Sequence, residues 1–101
     1  MLVAFALTPM GVKESVAEYV AEAVKIVRES GLPNRSDSMY TMIEGEWDEV
    51  MSVIRRATEA VALKAPRVQV SIKVDVWPAM PAPLDNKIAL LEQHVAATEG
   101  G

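Results

Sequence analysis

Residues 67 to 76 read RVQVSIKVDV. Val68, Val70, Ile72, Val74 and Val76 take every second position, and Gln69, Ser71, Lys73 and Asp75 fall between them. Successive side chains of a strand point to opposite faces, so the segment predicts a strand with one apolar and one polar face. Such a strand needs neighbours along its edges and a layer over its apolar side. With 101 residues, the chain has the length for one domain, 1–101, and one modest core.

Residues 2–8, LVAFALT, predict a strand of another kind. Val3, Phe5 and Leu7 alternate with Leu2, Ala4, Ala6 and Thr8, and both sets are apolar or small. A short run of this sort, stopped by Pro9 and Gly11, is expected to be buried on both faces, in the middle of a sheet. Between these two strands lie two helical patterns. In the first, Ser15 and Glu18 have capping-box spacing, Val16, Val20, Ala23, Val24 and Val27 form one stripe, and Gly31 with Leu32 suits a left-handed helix end. In the second, from about Trp47 to about Leu63, Trp47, Val50, Met51, Ile54, Ala57 and Val61 repeat at helical spacing and place Trp47 in the core. Residues 33–40, PNRSDSMY, make a poor edge strand, and TMIEG a short strand running into the second helix. Beyond a core of residues 2–76, PAMPAP at 78–83 predicts a stiff linker. A last helix follows over about 84–97, with Leu84, Ile88, Leu91 and Val95 on one face.

The order strand, helix, strand, strand, helix, strand predicts an α+β fold: a ferredoxin-like βαββαβ sandwich with an antiparallel four-stranded sheet in order 4-1-3-2, plus a C-terminal helix. Two helices cover one face, and the other is left open. Exposing the second apolar face of the first strand would forgo ~25 cal/mol for each Å². The expected partner is therefore another copy of the chain, in a homo-oligomer.

The formal net charge of −4 argues against nucleic acid and anionic membrane as partners. No apolar run approaches the ~20 residues of a membrane span. The apolar N-terminus lacks a basic flank and a small-residue cleavage site, so the expected location is cytoplasmic. There is no cysteine and one histidine, His94, in the predicted last helix. Neither a clustered metal site nor a Ser/His/Asp arrangement can be assembled from these residues. No nucleophile stands with a base, so no catalytic residue is assigned and the chain is not expected to be an enzyme.

Four acids fall between Glu44 and Glu49. Glu46, Asp48 and Glu49 lie at a predicted helix start, where carboxylates interact well with the positive end of the macrodipole. Glu44 precedes the helix. If Ile43 points at the helices, Glu44 points to the open face, where it meets either solvent or a ligand. The small residues Ala4, Ala6 and Thr8 would floor a trough on that face. Lys73, Ser71 and Asp75 would stand about 10 Å from Glu44, two strand spacings away. Met39 and Met42 either line such a pocket or fill the core.

The segments IEGEWDEVM, APRV and IKVD, with TPMG after the first strand and ESGLP after the first helix, resemble the small thiamine-binding-protein family over most of residues 2–76. The resemblance implies a ferredoxin-like fold assembling into dimers or tetramers through its sheets. It also implies binding of thiamine or its pyrimidine part without chemical change, with no other cofactor. Glu44 and Gly45 match the family's EG pair, Met39 and Thr41 two residues of its PMGT turn, and Lys73 and Asp75 its last-strand motif. The chain departs from the pattern at Ser38 and Tyr40, where proline and glycine are usual, and near Asn34 and Ser36, where apolar or aromatic residues are usual. The reading that follows is a carrier or sensor of a thiamine-like ligand. The alternative is a structural protein whose open face serves only homo-oligomerisation.

Overall fold

The computed structural model describes residues 1–13 and 15–99. The elements are β1 (Leu2–Met10), α1 (Val16–Glu29), β2 (Asn34–Ser36), β3 (Thr41–Glu44), α2 (Trp47–Ala62), β4 (Arg67–Asp75) and α3 (Pro83–Glu99). The sheet has the order β2-β3-β1-β4 and is antiparallel throughout, which is the expected 4-1-3-2 arrangement of a ferredoxin-like sandwich. Among the described residues, no helix is long and apolar enough to cross a membrane.

β1 organises the sheet. It pairs with β4 from Leu2↔Asp75 to Met10↔Arg67, but with β3 only from Leu2↔Glu44 to Phe5↔Thr41. Val3, Phe5, Leu7 and Pro9 are buried against the helices. Leu2, Ala4, Ala6 and Thr8 face the other way, as their alternation requires. Ile43 of β3, opposite Val3, is fully buried with it, so Met42 and Glu44 belong to the open face.

The helices complete the core with Ala23 and Val27 of α1 and with Val50, Val53, Ile54, Ala57 and Val61 of α2. Ser15 caps α1, but its hydroxyl accepts from Ala17 N (3.3 Å), so the expected Ser15/Glu18 box takes a different form. Val16, on the expected stripe, is exposed at the first position of α1. Gly31 takes φ +79, which L side chains rarely adopt, and Leu32 returns onto the core. At the start of α2, Glu46 N donates to Glu49 Oε1 (3.3 Å). Trp47 is not in the core: it is 52% exposed, and the buried residues of α2 are Val50, Val53, Ile54, Ala57 and Val61. Trp47 lies at the margin of the arc that these residues bury and borders a recess with Trp77 instead. Lys64, just after α2, bonds Glu22 of α1.

α3 departs from this compact body. Only Pro83 and Leu84 are buried, while Ile88, Leu91 and Val95 of its apolar face are exposed. The long axis of the molecule is 52 Å, against 29 and 19 Å for the others.

Ile43 is fully buried between β1 and the helices. Ile43→Ala should therefore cost about 2–5 kcal/mol in chemical denaturation, with an unchanged slope. A loss below 1 kcal/mol would mean the packing there is looser than described.

Candidate functional site

The seven residues singled out above are distributed over three recesses and the strand face between them. Met42, Lys73 and Asp75 come together, with Leu2, Ala4 and Lys87, in an open-face recess of about 410 Å³. Register explains the grouping: Ala4 pairs with Met42 on one side and Lys73 on the other, and Leu2 with Glu44 and Asp75. Ser71 pairs with Ala6 on the same face, one step further along.

α3 supplies what the sequence did not signal. Its N-terminus crosses this end of the open face through three polar contacts. Glu44 Oε1 accepts from Leu84 N (2.9 Å), Arg35 Nη2 donates to Asp85 Oδ1 (3.0 Å), and Lys87 Nζ bonds Asp75. Glu44 thus satisfies one of the free N–H groups at the helix start, where a carboxylate also meets the positive end of the dipole. Its other oxygen has no hydrogen-bond partner among the described residues. The open-face recess holds two cationic side chains, Lys73 and Lys87, against the single carboxylate of Asp75. Local periodicity gives no warning of Lys87, because its place depends on the path of the 76–82 linker.

Glu44 itself lines a second recess, of about 480 Å³, together with Gly45, Trp47 and Trp77. Both tryptophans of the chain, each about half exposed, therefore border one opening. Gly45 fits closely there: a Cβ would stand 3.1 Å from Val50 Cγ2, close enough that this side chain would have to shift slightly, and 3.6 Å from Leu32 Cδ1.

Met39 and Thr41 lie in a third recess, of about 250 Å³, between the second half of β1, α1 and the turn 37–40. Thr41 is buried, and its hydroxyl is 3.0 Å from that of Ser36, so it ties β2 to β3. Met39 is 72% exposed. The turn is held by Asp37, whose Oδ1 accepts from Met39 N (2.7 Å) and Tyr40 N (2.8 Å), while Asp37 N donates to Tyr40 O (2.9 Å). An aspartate at the head of a short polar stretch is the available signal for such a turn. The two N–H donors, Tyr40 first and Met39 second, hold the Asp37 carboxyl below the usual range. Among the described residues, no three His, Cys, Asp or Glu side chains gather to hold a metal.

A small ferredoxin-like sandwich with a partly covered sheet face is thus the class to which this chain belongs. The Thiamine-binding protein family matches residues 3–92. The UPF0045 protein Mb1933 of Mycobacterium bovis is 51% identical over 100 residues, spanning 98% of both chains. The UPF0045 protein sll0230 of Synechocystis is 37% identical over 93 residues, 91% of this chain and 77% of that one. Among solved structures, MJ1052 of Methanocaldococcus jannaschii superposes with a TM-score of 0.84 at 24% identity, over 90% of this chain and 94% of that one. TM0486 of Thermotoga maritima, proposed as a thiamine biosynthesis/salvage protein, superposes at 0.74 with 16% identity, over 87% and 96%. These two likenesses establish the fold. The chain belongs to the thiamine-binding protein family.

The lowered Asp37 pKa sets a pH dependence for the turn. The contribution of the carboxylate is present above the ordinary carboxylate range and is lost as pH falls through the lowered folded-state value. The Met39 and Tyr40 amide signals should therefore titrate together, with a midpoint below that of an unperturbed aspartate, and should not titrate in Asp37→Ala. A midpoint in the ordinary range, measured by NMR, would contradict the geometry.

Proposed function

We propose that the protein binds thiamine or a related aminopyrimidine without transforming it, as a carrier or sensor, on its open sheet face or where that face meets a second copy. The observation that carries this reading is the open-face recess, in a chain whose family match spans residues 3–92. Leu2, Ala4 and Met42 offer an apolar surface to a flat ring, and Lys73, Asp75 and Lys87 offer polar groups at its rim. Small-molecule sites commonly combine a mostly apolar wall with a few convergent polar groups.

Thiamine carries an aminopyrimidine, a fixed thiazolium charge and a hydroxyl or phosphate end. The free oxygen of Glu44 suits the amino group, and Asp75 the thiazolium. Lys73, Lys87 and Ser71 suit the hydroxyl or phosphate. Two lysines against one carboxylate favour a phosphorylated end. The recess holds no nucleophile with an activating base, and the proposed role is binding alone.

The exposed apolar residues supply the second part of the reading, self-association. Val70, Ile72 and Val76 on or beside the edge strand β4, with Ile88, Leu91 and Val95 on α3, are exposed. A long unpaired edge strand is a template for pairing with another chain. The reading of the open face as an oligomer surface alone is separated from ligand binding by titration.

Calorimetry should detect saturable thiamine binding. Glu44→Gln keeps an acceptor for Leu84 N–H and removes the charge, so folding should change little while binding weakens by roughly 1–3 kcal/mol, or about ten- to a hundredfold. A parent protein that fails to bind thiamine and its phosphates sinks the proposal; a Glu44→Gln variant that binds as tightly removes Glu44 from the site. Sedimentation at micromolar concentration should show a dimer or tetramer, and a stable monomer would refute self-association.

A further inference from the structure

The four acids between Glu44 and Glu49 gain no cationic side chain as partner. Among the described residues, the ion pairs take Glu22, Glu29, Glu59, Asp75 and Asp85, and none takes Glu44, Glu46, Asp48 or Glu49. Helix dipoles offset part of this charge. Glu44 meets the start of α3, and the other three lie at the start of α2. Each helix start counts for roughly half a positive charge. The Met1 amino group, which donates to Gly45 O (2.9 Å), adds one more. About half of the negative charge is left without a counterpart.

Both tryptophans of the chain stand beside these acids. Trp47 opens α2 and Trp77 follows β4, and each keeps about half of its surface in solvent. Glu44, Glu46, Trp47 and Trp77 all line the second recess, of about 480 Å³, with Val76 and Pro78 in its apolar wall. Among the described residues, no lysine, arginine or histidine lines it. An indole left in water forgoes apolar burial, and its face attracts cations through the ring quadrupole. The carboxylates attract a cation by charge. The two features, which arise from different side chains, favour the same occupant.

We propose that this recess is a binding site for a guanidinium group. A guanidinium is a planar, weakly hydrated cation that stacks on aromatic rings, and its fork of N–H donors matches a carboxylate. Here it lies against the indoles and donates to Glu46 and Glu44. An ammonium carries the same charge, but it is compact and strongly hydrated and covers less of a ring. The volume falls within the roughly 300–1,000 Å³ of small-molecule sites, so the chain that bears the group also has room. The group belongs either to a free guanidinium compound or to an arginine of a peptide. Glu46, Trp47 and Trp77 do not line the open-face recess, and the inference does not rest on thiamine binding there.

With two tryptophans in the chain, the two indole N–H signals report on this recess alone. N-acetylarginine amide should move both in a saturable way. N-acetyllysine amide should bind about fivefold more weakly or worse. Trp77→Leu should weaken binding of the arginine amide about tenfold. Glu46→Gln, which keeps an acceptor at the start of α2, should weaken it about three- to tenfold. Both are read on chains whose amide spectrum matches the parent, and Glu46→Gln decides where Trp77→Leu does not fold. If a capped arginine tripeptide binds more tightly than ethylguanidinium, the source is a peptide; if not, it is a free compound. Either supports the site. Indole signals that do not saturate, a lysine amide that binds as tightly as the arginine amide, or a folded variant that binds like the parent overturns the inference. So does thiamine that displaces the arginine amide from the indoles. A protein that binds the arginine amide but no thiamine refutes the open-face reading and leaves this one intact.

Discussion

The unequal pairing of β1 governs the rest of the molecule. On one side it meets β4 along all nine residues of both strands; on the other it meets β3 over four. The full-length ladder fixes the faces: a one-residue slip would turn Val3, Phe5 and Leu7 outward, so burial of that row holds the register. The short ladder sets where the recesses lie. Where β3 is present, Leu2, Ala4 and Met42 build a continuous open face; where it has turned away at Asp37, the second half of β1 lines the third recess.

The strands and their faces were legible because their pattern is local and their partners are apolar. Alternation in residues 67–76 marked a strand, although Val70, Ile72 and Val76 stay exposed on it, and large odd side chains against small even ones in residues 2–8 leave one arrangement that buries the large ones. Glu44 could be assigned to the open face by the same parity, through buried Ile43. The failures share a cause. Trp47 and Val16 are the first residues of α2 and α1, and each is about half exposed there. Periodicity tells which way a side chain points from its helix axis, not whether anything stands opposite. The role of α3 was hidden for a similar reason. Leu84, Ile88, Leu91 and Val95 do share a face, yet only Leu84 finds a place in this chain, and the positions of Lys87 and Asp85 depend on the turn through Ala82 at φ +43. Of the candidate site, parity gave the face and the strand residues of the recess, but not Lys87. The division into separate recesses follows from tertiary packing that no local pattern encodes.

The acids on the open face serve the fold. Glu44 closes the N-terminus of α3, and Asp75 neutralises Lys87 on the first turns of the same helix. Arg35 and Asp85 add a third contact, on the surface, where an ion pair contributes little by itself. A ligand cation that approaches Asp75 gains only the difference between its own attraction and that of the lysine already there. A ligand anion faces the opposite balance. It meets Lys73 outright and shares Lys87 with Asp75, without having to break the helix contact. The same geometry that fastens α3 therefore tilts the open-face recess toward the anionic end of a ligand.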